Sequence, residues 1–203
     1  MNRERISEDR TDAGGHPQAV IHMANGSEIV MELLPENAPN TVNSFIWAAG
    51  TGLMDRHPVE RIVPGSWIDV SYTAFGAEKL RYLIPNEFQL HPELQPLPSH
   101  PGDVCMGGYG EAGLAGCEFF FPLRDCPEHL GVYPVFGHVL SGMEELYRLE
   151  KVPTVPVDFP IPGVEVNTPV EPQIIDHVEL ILHGRRYPEP VRVKDPVLPP
   201  NWQ

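Results

Sequence analysis
The sequence predicts a mainly β domain, a barrel of short strands capped at its ends by two helices. Three observations point there. Apolar or alternating runs of strand length recur between Gly and Pro breakers along most of the chain. Only two stretches place apolar residues at helical spacing. Proline is abundant, twenty-four in 203 residues or roughly double the usual ~5% share. Because proline is excluded from helix interiors and central strands, loops must be numerous. The prolines cluster at 153–172 and 188–200, which leaves residues 19–152 as the expected core.

The elements follow in order. Residues 19–23 and 28–33 flank Asn25-Gly26, a dipeptide suited to positive φ in a tight turn, and so read as a β-hairpin. From 35 to 50, Val42, Phe45, Ile46 and Ala49 recur at helical spacing, with Pro39 suited to a first turn and Gly50 to a terminating left-handed position. Strand-like runs follow at 61–63, 67–72, 104–106, 118–121 and 135–140, then a second helix over 143–150. Alternation over 174–182 marks a closing strand. Residues 1–17 are polar and aperiodic, as expected of a mobile arm. The domain itself is placed at 18–184, and 185–203 is a proline-rich extension running as a strap.

Composition limits the partners. Fourteen Lys plus Arg against twenty-eight Asp plus Glu give a net charge of −14, which repels nucleic-acid phosphates and anionic lipid alike. No apolar run reaches the ~18 residues of a membrane span, and no secretory h-region follows the charged first residues. Cys105, Cys117 and Cys126 form no CxxC and leave one thiol over in any pairing, so a cytoplasmic protein is expected. A monomer is the default expectation. The nine histidines show neither HxH nor HExxH, and the cysteine intervals do not suit zinc, so no metal and no other cofactor is expected. Gly107-Gly108-Tyr109-Gly110 lacks the strand-helix context of a nucleotide loop. Ser66, Ser141 and Cys117 lack the setting of a nucleophile.

Three stretches in order resemble the cyclophilin family of peptidyl-prolyl isomerases, as a divergent, bacterial-like member. They are Glu32-Leu33-Leu34-Pro35-Glu36-Asn37-Ala38-Pro39-Asn40-Thr41-Val42-Asn43-Ser44-Phe45, Arg61-Ile62-Val63-Pro64-Gly65 and Gly116-Cys117-Glu118-Phe119-Phe120-Phe121. Lesser matches at 84–88, 134–139 and 151–154 extend the similarity over roughly residues 18 to 183. The resemblance implies a closed eight-stranded antiparallel barrel with two capping helices. It also implies a groove for proline-containing peptides, Arg61 as the catalytic arginine, and a proline pocket of Phe120, Leu130 and Tyr133 with Trp67 and Met106 nearby. Gly107 and Gly108 stand where the family offers backbone hydrogen bonds to substrate. Alternation assigns Phe120 to the exposed pocket wall and Phe119 and Phe121 to the barrel interior.

The chain departs from the family pattern at several of these positions. Glu60 replaces the histidine before the arginine, Ser66 replaces a phenylalanine, and Trp67 stands where methionine is common. His129 replaces a rim tryptophan, Tyr133 a pocket histidine, and Asp69 the glutamine that braces the arginine. An Asp69 carboxylate within about 4 Å of Arg61 would attract it by roughly 4 kcal/mol before desolvation, orienting or occupying the guanidinium. The alternative is a solvent-facing Asp69, and for Arg61 a surface pairing with Glu60 or Asp55. Two functions are compatible with these residues: a cofactor-free isomerase acting on proline-containing segments of client proteins, or a module that binds such segments without fast catalysis. A third makes the cleft a small-molecule or intramolecular site with the proline-rich tail lying across it, although a strap is the stronger expectation.

Overall fold
The computed structural model describes residues 15–202, so the first fourteen residues of the expected arm lie outside the described residues. Along the chain lie β1 (Gln18–Met23), β2 (Glu28–Leu33), α1 (Pro39–Gly50), β3 (Arg61–Val63), β4 (Trp67–Asp69), β5 (Leu83–Ile84) and α2 (Glu87–Leu90). Then come β6 (Asp103–Gly108), β7 (Leu114–Pro122), β8 (Val135–Ser141), α3 (Met143–Leu149), β9 (Thr154–Val157), β10 (Val166–Pro169) and β11 (Ile175–Ile181). The main antiparallel sheet runs β11-β1-β2-β8-β6-β7-β4-β3, with short β5 on the side of β7. It curls until its ends meet. The chain before β3 pairs with the chain before β11 through a Pro58–Ile174 bridge, with Val59 N–H to Gln173 O at 2.8 Å and Ile175 N–H to His57 O at 2.9 Å. The mainly β barrel expected from sequence is the fold observed.

Alternation fills the interior. Ile62, Ile68, Phe119 and Phe121 point inward and are buried. Phe45 of α1 closes one end, its ring 5.3 Å from Phe119 and 5.4 Å from Phe136. No side chain of Ala38 caps α1. Instead the buried Glu87 carboxylate accepts from Asn40 N–H at 3.0 Å and Thr41 N–H at 2.8 Å, placing negative charge at the positive end of the helix dipole. Helix α3 packs on β2 through the buried Leu146 and Leu149.

Several sequence expectations are corrected. In the first hairpin only Gly26 takes positive φ, and Gly26 N–H bonds to Met23 O, so the loop is a turn followed by a glycine bulge. Gly50 ends α1 in ordinary geometry, while Gly52 carries the left-handed φ of 76°. His16 and Pro17, assigned to the mobile arm, are docked: His16 lies 3.1 Å from Glu32, and Pro17 O accepts from Leu33 N–H. Strand β4 stops at Asp69 rather than residue 72, because the Glu60 carboxylate gathers Tyr72 N–H at 2.6 Å and Thr73 N–H at 3.1 Å and turns the chain. The proline cluster at 153–172 is no plain loop. It forms the β9-β10 ribbon, with Pro156 opposite Asn167 and Pro169 opposite Thr154. A ribbon of two edge strands tolerates proline where a central strand does not.

The tail after Gly184 packs along the barrel, and its residues 197–200 reach the cleft. Asn40 and Val191 exchange hydrogen bonds of 2.7 and 3.1 Å, and the Arg192 guanidinium sits 4.2 Å over Trp47 and 4.0 Å over Tyr82. Trp202 ends the strap inside the core, 1% exposed. Such a ring buries on the order of 200 Å² and anchors everything before it.

Candidate active site
Pairing register builds the site. Arg61 lies opposite Asp69, Asp69 opposite Phe120, Phe120 opposite Cys105 and Cys105 opposite Val135. Residues directly opposite share one face of a sheet, so this lateral row stands on the outside of the barrel. Phe120, Cys105 and Val135 form a small apolar cluster with Trp67 and Tyr133, separate from the interior core. A cleft of about 670 Å³ opens beside the row.

The arginine is held on two sides. Its Nη1 donates to Asp69 Oδ2 at 2.8 Å, and its Nε donates to Glu165 O at 2.8 Å, next to the ribbon tip. The guanidinium carbon also lies 5.6 Å from the Trp67 ring centroid. A guanidinium carries five N–H donors, so two anchors leave the rest of the fork for a ligand. Both side chains of the pair are 18% exposed, which rules out the solvent-facing Asp69. Burial pushes the Asp69 carboxyl above its ordinary range, and the Arg61 charge and hydrogen bond oppose that rise.

Three rings make the apolar end. Phe120, His129 and Tyr133 meet edge to face, with centroids 5.4 Å apart for Phe120–His129, 5.6 Å for Phe120–Tyr133 and 5.0 Å for His129–Tyr133. Trp67 adds a fourth ring 5.7 Å from His129. Burial lowers the His129 pKa, which favours the neutral imidazole. Phe120 faces outward as its alternation requires, but it is 4% exposed because these rings cover it. Along the floor, Gly107 and Gly108 leave the backbone bare. A Cβ at Gly107 would meet Glu118 O at 3.2 Å, and one at Gly108 would meet Leu114 Cδ2 at 3.1 Å.

The structure brings Arg61, Trp67, Asp69, Gly107, Gly108, Phe120, His129 and Tyr133 to the cleft. Two expected residues stay out. Met106 is buried in the barrel interior, since its neighbour Cys105 faces out opposite Phe120 and alternation sends Met106 inward. Leu130 is 49% exposed and turns from the cleft, because it follows the 3-10 turn Pro127–His129, which directs His129 into the pocket instead. Glu60 and Ser66 are also outside the cleft lining. Glu60 is a loop anchor, 3.1 Å from His57.

Other lining residues were not singled out in the sequence. Glu118, on β7, is buried and accepts from Ala74 N–H at 2.8 Å, Trp202 Nε1–H at 2.6 Å and the Tyr109 hydroxyl at 2.7 Å. Desolvation, against the lowering pull of these bonds, raises its pKa to about 8. A glutamate inside an apolar strand was the signal available. The remaining lining comes from Phe159, Pro160, Ile161, Pro162 and Val164 of the ribbon tip and from Val197, Leu198, Pro199 and Pro200 of the tail. Cys126, Glu128 and His129 place ligand atoms within 4.8 Å of one another, but Glu128 is paired with Arg124. No helix among the described residues is long and apolar enough to cross a membrane.

The site is thus an arginine and an aromatic pocket on the outer face of a curled antiparallel sheet. Residues 19–171 match the family model "Cyclophilin type peptidyl-prolyl cis-trans isomerase/CLD", and the chain belongs to this family. It is 28% identical over 167 residues to peptidyl-prolyl cis-trans isomerase-like 3 of Gibberella zeae, covering 79% of this chain and 93% of that protein. It is also 28% identical over 152 residues to peptidyl-prolyl cis-trans isomerase CYP71 of Arabidopsis thaliana, covering 74% of this chain but only 24% of that longer protein. The fold matches a Cryptosporidium parvum cyclophilin type peptidyl-prolyl cis-trans isomerase, crystallised in the presence of the dipeptide Ala-Pro, with a TM-score of 0.62 at 20% identity over 83% of this chain and 99% of that one.

Proposed function
We propose that this chain is a peptidyl-prolyl cis-trans isomerase acting on Xaa-Pro bonds of extended peptide segments, including those of folding client proteins. The observation that carries the reading is the Arg61–Asp69–Phe120 row, which sets a braced guanidinium beside an apolar ring pocket on the barrel's outer face. The amide C–N bond resists rotation by about 18–20 kcal/mol because of its partial double-bond character. As the bond twists, the prolyl nitrogen loses conjugation and becomes an acceptor. Arg61 donates to that nitrogen or holds the adjacent carbonyl, and never releases its own proton. No covalent bond is made or broken, so the reaction requires no nucleophile, metal or redox group.

One charged hydrogen bond supplies on the order of 1.5–3 kcal/mol. An acceleration of ~10⁵ needs about 7 kcal/mol. The difference falls to preorganisation: Asp69 and Glu165 O fix the guanidinium before substrate arrives, and Phe120, His129 and Tyr133 take the proline ring out of water. Asp69 is thus a positioning residue. Three unpaired, buried thiols support action in the reducing cytoplasm. Exchange spectroscopy on a short Xaa-Pro peptide tests the reading. Cis/trans cross-peaks that grow with catalytic amounts of protein are expected, and binding without accelerated exchange would make the chain a proline-binding module instead.

A further inference from the structure
The cleft is larger than a proline ring needs. A volume of about 670 Å³ lies in the ~300–1,000 Å³ range that encloses a drug-sized ligand. A single pyrrolidine ring does not fill it. The ring pocket and the Arg61 row come from barrel strands, whereas the rest of the lining comes from the ribbon tip, which Glu165 O ties to Arg61 Nε at 2.8 Å, and from tail residues beyond the 19–171 reach of the family model. That wall is apolar and open: Val164 is 36% exposed and Val197 is 86% exposed.

The wall is also fixed in place. Trp202 is buried against Tyr109 at 5.5 Å and bonds Glu118, Asn201 Nδ2 donates to the Tyr109 hydroxyl at 2.7 Å, and Trp202 N–H bonds to Pro199 O at 3.0 Å. Prolines at 199 and 200 stiffen the approach. Charge gives the second half of the argument. Among the described residues, Arg61 is the one Arg or Lys in the cleft lining, and it is already paired with Asp69 at 2.8 Å. An acidic substrate side chain would compete with Asp69 for that single cation and would meet the repulsion of a net charge of −14 besides.

We propose that the tail and ribbon form a specificity wall, which takes a large aliphatic or aromatic side chain adjacent to the Xaa-Pro bond and disfavours an acidic one. The inference rests on the isomerase reading for its register, with proline at the ring pocket and the flanking residue on the wall. Val197 and Val164 are its specificity-determining residues. Neither belongs to the barrel, so substrate preference is set by elements attached to the catalytic strands rather than by the strands themselves.

The test is a set of peptides with Leu, Phe, Gly or Glu on either side of proline, each measured for isomerisation by exchange spectroscopy and for affinity by chemical-shift titration. Leu and Phe are expected to exceed Gly by about tenfold in kcat/KM and Glu by more, the scale that apolar pocket contacts reach. Val197→Asp with Val164→Asp should shrink the Leu-over-Gly ratio to about threefold. Val197→Lys should raise kcat/KM for the Glu peptides, a gain that a misfolded variant cannot produce. Equal ratios in wild type and variants, or no gain with Val197→Lys, would overturn the wall. Should no peptide be isomerised at all, the isomerase reading fails, yet the affinity ranking across the same peptides and variants still decides for or against the wall.

Discussion

The two walls of the cleft are held by different physics. On the barrel side, Arg61, Asp69 and Phe120 sit on β3, β4 and β7, and ladder hydrogen bonds between strands set their relative positions. The ribbon and tail instead hang on scattered anchors, among them Thr168 Oγ1 to Glu60 O at 2.9 Å, Phe159 against Tyr72 at 5.0 Å, Val193 N–H to Leu83 O at 2.8 Å and Trp202 on Glu118. The barrel wall is thus a property of register, and small changes there alter chemistry. The tail wall is a property of a few anchors, and removing one alters stability and shape together. Two glutamates, Glu60 half-buried and Glu118 buried, mark the contrast. Glu60 gathers donors from its own neighbourhood and His57, which hold its carboxyl below the usual range despite burial, whereas more deeply buried Glu118 rises to about 8.

The largest effect is expected on the tail side. Trp202→Ala should lower unfolding free energy by about 3–5 kcal/mol, the cost of emptying a buried aromatic site, measured by denaturant melts. A loss below about 1 kcal/mol would mean that the strap does not depend on its terminal anchor.

On the barrel side, Asp69→Asn leaves shape intact and exchanges a charged brace for a neutral one. It should lower kcat/KM about tenfold, with less than ~1 kcal/mol lost in a thermal melt. The pH profile separates bracing from packing. The Asp69 carboxyl is raised by burial, so wild-type isomerisation should fall on the acid side above the ordinary aspartate value of 3.8, as Asp69 gains a proton while Arg61 stays charged. Asp69→Asn should abolish that acid limb, and a persistent limb would assign it elsewhere.

A smaller effect concerns Glu118. Its folded pKa of about 8 exceeds the reference 4.5, so between those values the fold retains a proton that the unfolded chain has released. Its stabilising contribution is full below about pH 4.5 and lost as pH rises through about 8. Glu118→Gln, neutral throughout, should flatten this decline, and identical stability-versus-pH curves would contradict the assignment. Glu60 has the opposite sign: its lowered pKa gives stability present above 4.5 and lost as pH falls through the folded value. The smallest effect belongs to Leu130→Ala, expected to leave kcat/KM within about twofold because the side chain is exposed and outside the cleft.

The same contrast decides what was legible in the sequence. The barrel was readable because period-2 alternation reports which face a strand buries, and Phe120 between two inward rings follows from it. Arg61 and Asp69 were identified through the resemblance, and their pairing follows from register. Met106 was misplaced by one position: with Phe120 outward and Cys105 opposite it, parity sends Met106 inward. Leu130 was misplaced because a single 3-10 turn, which has no periodic signature, decides whether residue 129 or residue 130 enters the pocket. The ribbon was hidden by proline in both its strands. The contact between Trp202 and Glu118 spans 84 residues, and local pattern carries no information about it.

The central claim is that the braced Arg61 guanidinium lowers the rotational barrier. Exchange spectroscopy on one Xaa-Pro peptide, with wild type, Arg61→Ala and Arg61→Lys at equal concentration and matched folded fraction, tests it directly. The account predicts a fall of at least tenfold for Arg61→Ala and little recovery with lysine, whose point charge cannot bond Asp69, Glu165 O and substrate through one planar fork. Undiminished exchange in Arg61→Ala would contradict it.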